Sequence, residues 1–170
     1  KIMVAIGFCA AAAAAAAVAV SCGDDGGPVG TKIGALGGTV VGPEGSTLQI
    51  PAGALDEDVT FTIQEIDATA EGIEGVSGAY EFGPEGTRFQ QPAAITVSYD
   101  SDLAVGHEEE MSLWSSDSPQ GPWTEAETSV DPDAETLTAQ TMHLSFWLGG
   151  YRTTCTQALC RHNPGRAVMT

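Results

Sequence analysis

A chain of 170 residues suits one ordinary domain with short extensions and is too short for two substantial ones. Its 23 Asp and Glu against six Lys and Arg leave a net charge of −17, and between Cys22 and Gly150 only Lys32 and Arg88 oppose all 23 acids. So anionic a surface repels phosphate backbones and excludes nucleic-acid binding, while 42% hydrophobic residues supply a core without a disulfide framework.

The first predicted element is an export signal over residues 1–21. Lys1 precedes an apolar run from Ile2 to Val20 that includes seven consecutive alanines, Ala11 to Ala17. The segment is expected to be helical. A run of about 20 apolar residues also reaches the length of a bilayer span, so an uncleaved anchor is an alternative. The exit, Val18-Ala19-Val20-Ser21-Cys22, resembles a bacterial lipobox, in which the Cys receives diacylglycerol and becomes the new amino terminus. A plain signal-peptidase site at Ala17-Val18-Ala19 competes with it, because Ala19 stands where lipoboxes favour Leu. Gly23-Asp24-Asp25-Gly26-Gly27 opens a polar tether over residues 22–31. Lipidation at Cys22 would hold the exported chain on a membrane of the bacterial cell envelope, either inner or outer.

Residues 32–149 have the texture of an antiparallel sandwich: short alternating segments separated by Gly, Pro and Asp clusters. Gly38 to Val41 and Ser46 to Ile50 form a predicted hairpin about Gly42-Pro43-Glu44-Gly45, where Pro presets one dihedral and Gly supplies the reversal. Val59, Phe61 and Ile63 alternate with polar residues, as do Tyr80 and Phe82, and Ile95, Val97 and Tyr99. Each set reads as a half-buried strand. Leu113-Trp114 and Pro122-Trp123 bracket a polar turn, and Asp131-Pro132-Asp133-Ala134 is a tight turn leading to Leu137 and Ala139. In the last predicted strand Leu144, Phe146 and Leu148 share one face, and His143, Ser145 and Trp147 the other. The fold class is therefore all-β, an antiparallel β-sandwich preceded by a helical signal segment. Residues 150–170 are assigned to a tail, in which Cys155 and Cys160 can pair in an oxidising compartment.

Gly37-Gly38-Thr39-Val40, followed by Leu48-Gln49-Ile50-Pro51-Ala52-Gly53-Ala54-Leu55, resembles the opening of a ZU-five domain. Tyr80-Glu81-Phe82-Gly83-Pro84-Glu85-Gly86, Gln91-Pro92 and His143-Leu144-Ser145 extend the likeness in the family's order. The resemblance implies a β-sandwich used for protein–protein contact, without cofactors. Some members cleave themselves within a His-Phe-Ser motif. By that likeness His143 would deprotonate Ser145, whose oxygen would attack the Leu144 carbonyl to give an ester that water hydrolyses. The plainer reading places His143 and Ser145 on the outward face of a strand. Leu144, where the family has Phe, favours the plainer one.

Other chemistry is thinly signalled. His107-Glu108-Glu109-Glu110-Met111 lacks the second His of a zinc helix and reads as a charged connector. Asp131, Asp133 and Glu135 offer oxygen ligands two residues apart, a weak Ca²⁺ candidate off the EF-hand spacing. Trp114, Trp123 and Trp147 would line a sugar platform if exposed, but belong by size to the core or its rim. The expectation is a lipid-anchored monomer that displays a non-catalytic sandwich to a basic or cationic protein partner. A self-cleaving module and a carbohydrate-binding sandwich are the alternatives.

Overall fold

A computed structural model describes residues 30–153. The signal segment, Cys22, Cys155 and Cys160 lie outside the described residues. Eleven strands, one α-helical turn and, between β2 and β3, a 3₁₀ turn (Pro43–Gly45) make up the described residues: β1 (Thr31–Ile33), β2 (Gly38–Val41), β3 (Thr47–Ile50), β4 (Val59–Ile66), β5 (Ile73–Gly83), β6 (Arg88–Ser98), α1 (Ser101–Ala104), β7 (Ser112–Ser116), β8 (Thr124–Glu125), β9 (Thr128–Asp131), β10 (Thr136–His143) and β11 (Phe146–Arg152). They form a six-stranded sheet, β1-β4-β5-β11-β7-β8, and a five-stranded sheet, β2-β3-β6-β10-β9. Every pairing is antiparallel. The fold is the all-β sandwich that the alternating segments predict. No helix among the described residues is long and apolar enough to cross a membrane.

The core lies between the sheets. Val40, Leu48, Ile50, Phe61, Ile63, Val76, Tyr80, Phe82, Ile95, Val97, Leu113 and Leu137 are buried there, and the Phe61 and Phe89 rings stack with centroids 6.1 Å apart. Each fully buried side chain of this size contributes about 1.5–3 kcal/mol relative to an exposed one. A smaller cluster of Ala70, Ala79 and Leu148 sits apart from it, with Ile66, Ile73 and Trp123 packed against it. Leu148 belongs to this cluster while Trp147, the next residue back, belongs to the main core, as period-2 geometry requires.

The β2–β3 hairpin has the predicted register, Val41 opposite Thr47. Its turn is tighter than expected: Glu44 (φ 50°) as well as Gly45 (φ 77°) adopts a left-handed conformation. Ser46 closes the turn, its hydroxyl donating to the Pro43 carbonyl (2.6 Å). Edge strands β1 and β8 have three and two residues, which leaves little free ladder for another chain to extend. Lys32 on β1 adds a charge, paired with Asp58 at 3.0 Å.

The last predicted strand is two strands. β10 ends at His143 on the five-stranded sheet, and β11 starts at Phe146 on the six-stranded one. The cause is local. The β10–β6 register shifts between Thr141 and His143, and the Thr141 hydroxyl clamps the kink by donating to the His143 carbonyl (2.6 Å) and accepting the His143 N–H (3.2 Å). Leu144 then donates its N–H to the Thr87 carbonyl (3.0 Å), and the Ser145 carbonyl accepts from Phe82 (3.2 Å). A corner passing between two sheets is covered from both, so Leu144 to Leu148 are all buried and do not alternate. β11 also runs on through Arg152, whose register partner is Ile73, past the boundary drawn at 149.

Candidate functional site

The corner at Leu144–Ser145 carries the sharpest chemistry read from the sequence, but its two reactive side chains do not meet. Ser145 is buried, and its hydroxyl has no hydrogen-bond partner among the described residues. His143 is half-exposed and turns the other way, with Nε2 3.7 Å from Asp117 Oδ1. It borders a shallow pocket of about 400 Å³ with Ser116, Asp117 and Pro122. Residues i and i+2 share a face only along a continuous strand, and the sheet switch breaks that continuity. A general base works within about 2.6–3.2 Å of the proton it takes, directly or through one water. A buried hydroxyl without a partner costs about 1–3 kcal/mol. Ser145→Ala is therefore expected to raise the unfolding free energy by about 1 kcal/mol in urea denaturation. A fall in stability would mean that the hydroxyl has a partner in solution.

The oxygen cluster at the β9–β10 turn is a turn device. Asp131 Oδ1 accepts the backbone N–H groups of Asp133 and Ala134, both at 3.1 Å, and Glu135 takes a left-handed φ of 53° to complete the reversal. Among the described residues no three His, Cys, Asp or Glu side chains lie close enough to hold a metal ion. The three tryptophans do not make a platform either. Trp114 and Trp147 are buried and Trp123 is half-buried against the outer cluster.

The charged connector after α1 has a structural anchor that the sequence did not signal. The His107 ring stacks on Tyr151 of β11, with centroids 3.9 Å apart and 6° between planes, and Nδ1 is 3.2 Å from Glu110 Oε2. Glu108 accepts the Gly106 N–H at 3.1 Å. Its own backbone N–H and that of Gly106 hold its carboxyl below the usual range.

A second feature missed by sequence reading is an acid-lined cavity between the two sheets. It is a depression of about 390 Å³, open to solvent and bordered by Glu44, Glu65, Asp100, Tyr80, Tyr99 and Leu103. One signal pointed to it: Glu65 follows Val59, Phe61 and Ile63 in the same alternation, opposite the buried Tyr80, but it is exposed where the strand leaves the core. Burial, then Glu65, then Glu44 push the Tyr80 hydroxyl above its ordinary value of 10.0. Burial, then Glu135, Glu108 and Asp131 do the same for Tyr99.

Both phenols thus hold their protons more tightly folded than unfolded. The stability they confer is complete below pH 10 and is lost as pH rises through the folded values. Melting midpoints taken from pH 8 to 11.5 should fall more steeply above pH 10 for the native chain than for a Tyr80→Phe, Tyr99→Phe variant. Parallel curves would acquit the two hydroxyls.

The model of one protein family, described as the ZU5 domain, matches residues 29–117, from just before β1 through the end of β7. Comparison with curated proteins finds no match. The match spans more than half of the chain, including the β2–β3 hairpin and the blocks at Gly37-Gly38 and Ile50 to Leu55. The chain therefore belongs to the ZU5 domain family, whose members are generally non-catalytic protein-interaction modules.

Proposed function

We propose that this protein is an exported bacterial lipoprotein, anchored through Cys22, that displays its ZU5 sandwich for binding a basic or cationic protein partner. It turns over no substrate, needs no cofactor and acts as a monomer. The observation that carries the partner's chemistry is charge. Residues 30–153 hold 21 carboxylates against Lys32, Arg88 and Arg152, and Lys32 and Arg152 are already paired with Asp58 and Glu125. Such a surface raises the local concentration of cationic partners and repels copies of itself. The anchor rests on Val18-Ala19-Val20-Ser21-Cys22 and the polar tether after it. Several acyl chains hold a protein on a membrane far better than one does. In a bacterial host the native chain is expected in the membrane fraction and Cys22→Ala outside it. Equal membrane retention of both would overturn the lipid anchor in favour of an uncleaved signal helix.

A second reading, self-cleavage at Leu144–Ser145, is favoured by one observation, the buried and unpartnered Ser145 hydroxyl at a sheet corner. The pairing of His143 with Asp117 weighs against it.

A further inference from the structure

We propose that the depression beside Trp123 seats one ring of a neutral sugar, a pyranose presented by a glycan. This binding goes beyond the cationic-partner reading and does not rest on it.

The depression measures about 520 Å³ and adjoins the cluster of Ala70, Ala79 and Leu148, against which Trp123 and Ile73 pack. Trp114, Trp123, Glu71, Gln120, Arg152 and Thr153 border it. A flat platform for a sugar polymer needs several exposed rings, whereas a pocket for one sugar needs only one.

The orientation of Trp123 is what points to a ligand. At the rim of a domain an indole ordinarily turns its N–H to water and hides its carbons. Trp123 does the reverse. Its Nε1 is buried with no hydrogen-bond partner among the described residues, although the residue as a whole is only half-buried. The other side-chain atoms are all carbon, so the surface that this side chain shows to the depression is apolar. Burying a donor unpaired and leaving ring carbon in water both cost stability. Gly121 makes the placement possible: a Cβ there would stand 2.9 Å from Trp123 Cδ1 and 3.2 Å from its backbone N. A ligand with an apolar face would cover the ring and relieve the second of these costs.

The rim decides what that face must carry. Glu71 forms no ion pair among the described residues. Gln120 accepts the Ser118 hydroxyl at Oε1 (2.8 Å), which leaves its amide N–H groups to donate. The Arg152 guanidinium lies over the Trp114 ring, 4.5 Å from the centroid, and its Nε and Nη2 donate to Glu125 at 3.4 and 3.3 Å. That fixes its plane and leaves Nη1 as a donor. Thr153 adds a hydroxyl, and its backbone N–H donates to the Gly72 carbonyl (3.0 Å), which ties β11 to the opposite wall. Donors and a carboxylate around an indole suit a ligand whose C–H groups form a face and whose hydroxyls both give and accept hydrogen bonds. A pyranose has that form. Charge agrees, since Glu71 and Arg152 cancel and the depression is locally neutral on an otherwise anionic domain.

The test titrates the full-length ¹⁵N-labelled protein in dodecylphosphocholine micelles, whose headgroup carries no sugar. The probes are the methyl glycosides of β-glucose, α-mannose and β-N-acetylglucosamine. Glycerol, with hydroxyls and no ring, and cyclohexanol, with a ring and a single hydroxyl, serve as controls. The expected result is saturable shifts of the Gly72, Trp123 and Arg152 amides with at least one glycoside and none with either control. Affinity for that glycoside should fall about fivefold in Glu71→Gln and be lost in Trp123→Leu. Glu85→Gln, beyond the far end of β5, should leave it unchanged. Glu71 is exposed, so Glu71→Gln keeps the test decisive if Trp123→Leu folds poorly.

Cyclohexanol binding as tightly as the best glycoside would overturn the sugar and leave a pocket for any apolar ring. Equal weakening by Glu71→Gln and Glu85→Gln would overturn the depression as the place of binding. No shift with any of the glycosides would overturn the proposal outright, with the cationic-partner reading intact.

Discussion

Gly37→Ala is expected to cost the fold about 3 kcal/mol or more, while Gly72→Ala, at a nearly identical dihedral, costs only about 1–2 kcal/mol. Both glycines lie in the left-handed region, at φ 70° and 77°, so both pay the steric penalty of a Cβ there. Their surroundings differ. A Cβ at Gly72 meets nothing within 4 Å, whereas one at Gly37 would overlap the Ile50 carbonyl oxygen and approach Pro51 C and Ala52 N at 2.7 and 2.8 Å. These are backbone atoms and cannot swing aside. The loop is held from both sides, since Gly37 donates to Gly34 (3.0 Å) and Gly53 donates to Ala35 (2.8 Å). The Gly37-Gly38 block and the Ile50 to Gly53 block, widely separated in the family's motif, are thus two halves of one contact. Urea denaturation of the two variants checks the contrast, and equal losses would show that the loops part easily.

Trp114→Ala should be comparably severe, about 3–5 kcal/mol, the usual cost of emptying an aromatic site in a core. Trp114 is 2% exposed. Its Nε1 donates to the Gly150 carbonyl at 3.2 Å, and the Arg152 guanidinium lies 4.5 Å from the ring centroid. Trp114→Phe keeps most of the volume but loses the indole donor, so it should cost roughly 1–3 kcal/mol for the carbonyl left unpaired. Denaturant midpoints separate the two variants. A Trp114→Ala protein as stable as the Phe variant would mean that the ring is not packed as described.

The tryptophan's partners also mark where the sequence became illegible. Val59, Phe61 and Ile63, or Ile95 and Val97, announce their strands because one face is apolar and the other is not. The β2–β3 hairpin announces itself through Gly42 to Gly45. Beyond Leu148 this signal stops: Gly149 and Gly150 look like a boundary, yet β11 continues through them. Gly149 donates to the Ser77 hydroxyl (2.8 Å), and Gly150 gives its carbonyl to Trp114. These are long-range bonds with no local signature.

The candidate site follows the same division. His143, Leu144 and Ser145 were found as a motif, but whether they converge depends on which sheet each neighbour joins, and pattern alone runs one strand straight through the corner. The cavity was half-visible. Glu65 stands on the strand that Val59, Phe61 and Ile63 announce, while Glu44 reaches it from the β2–β3 turn and Tyr99 and Asp100 from the segment after β6. Only the closed sandwich brings them together.

The most direct test of a lipid-anchored, intact binding module is the intact mass of the protein extracted with detergent from the membrane fraction of a bacterial host. The expected result is one species that begins at Cys22, carries diacylglyceryl and acyl additions, and continues unbroken through the Leu144–Ser145 bond. An unlipidated species beginning at Val20, or a chain ending at Leu144 beside a fragment beginning at Ser145, would contradict it.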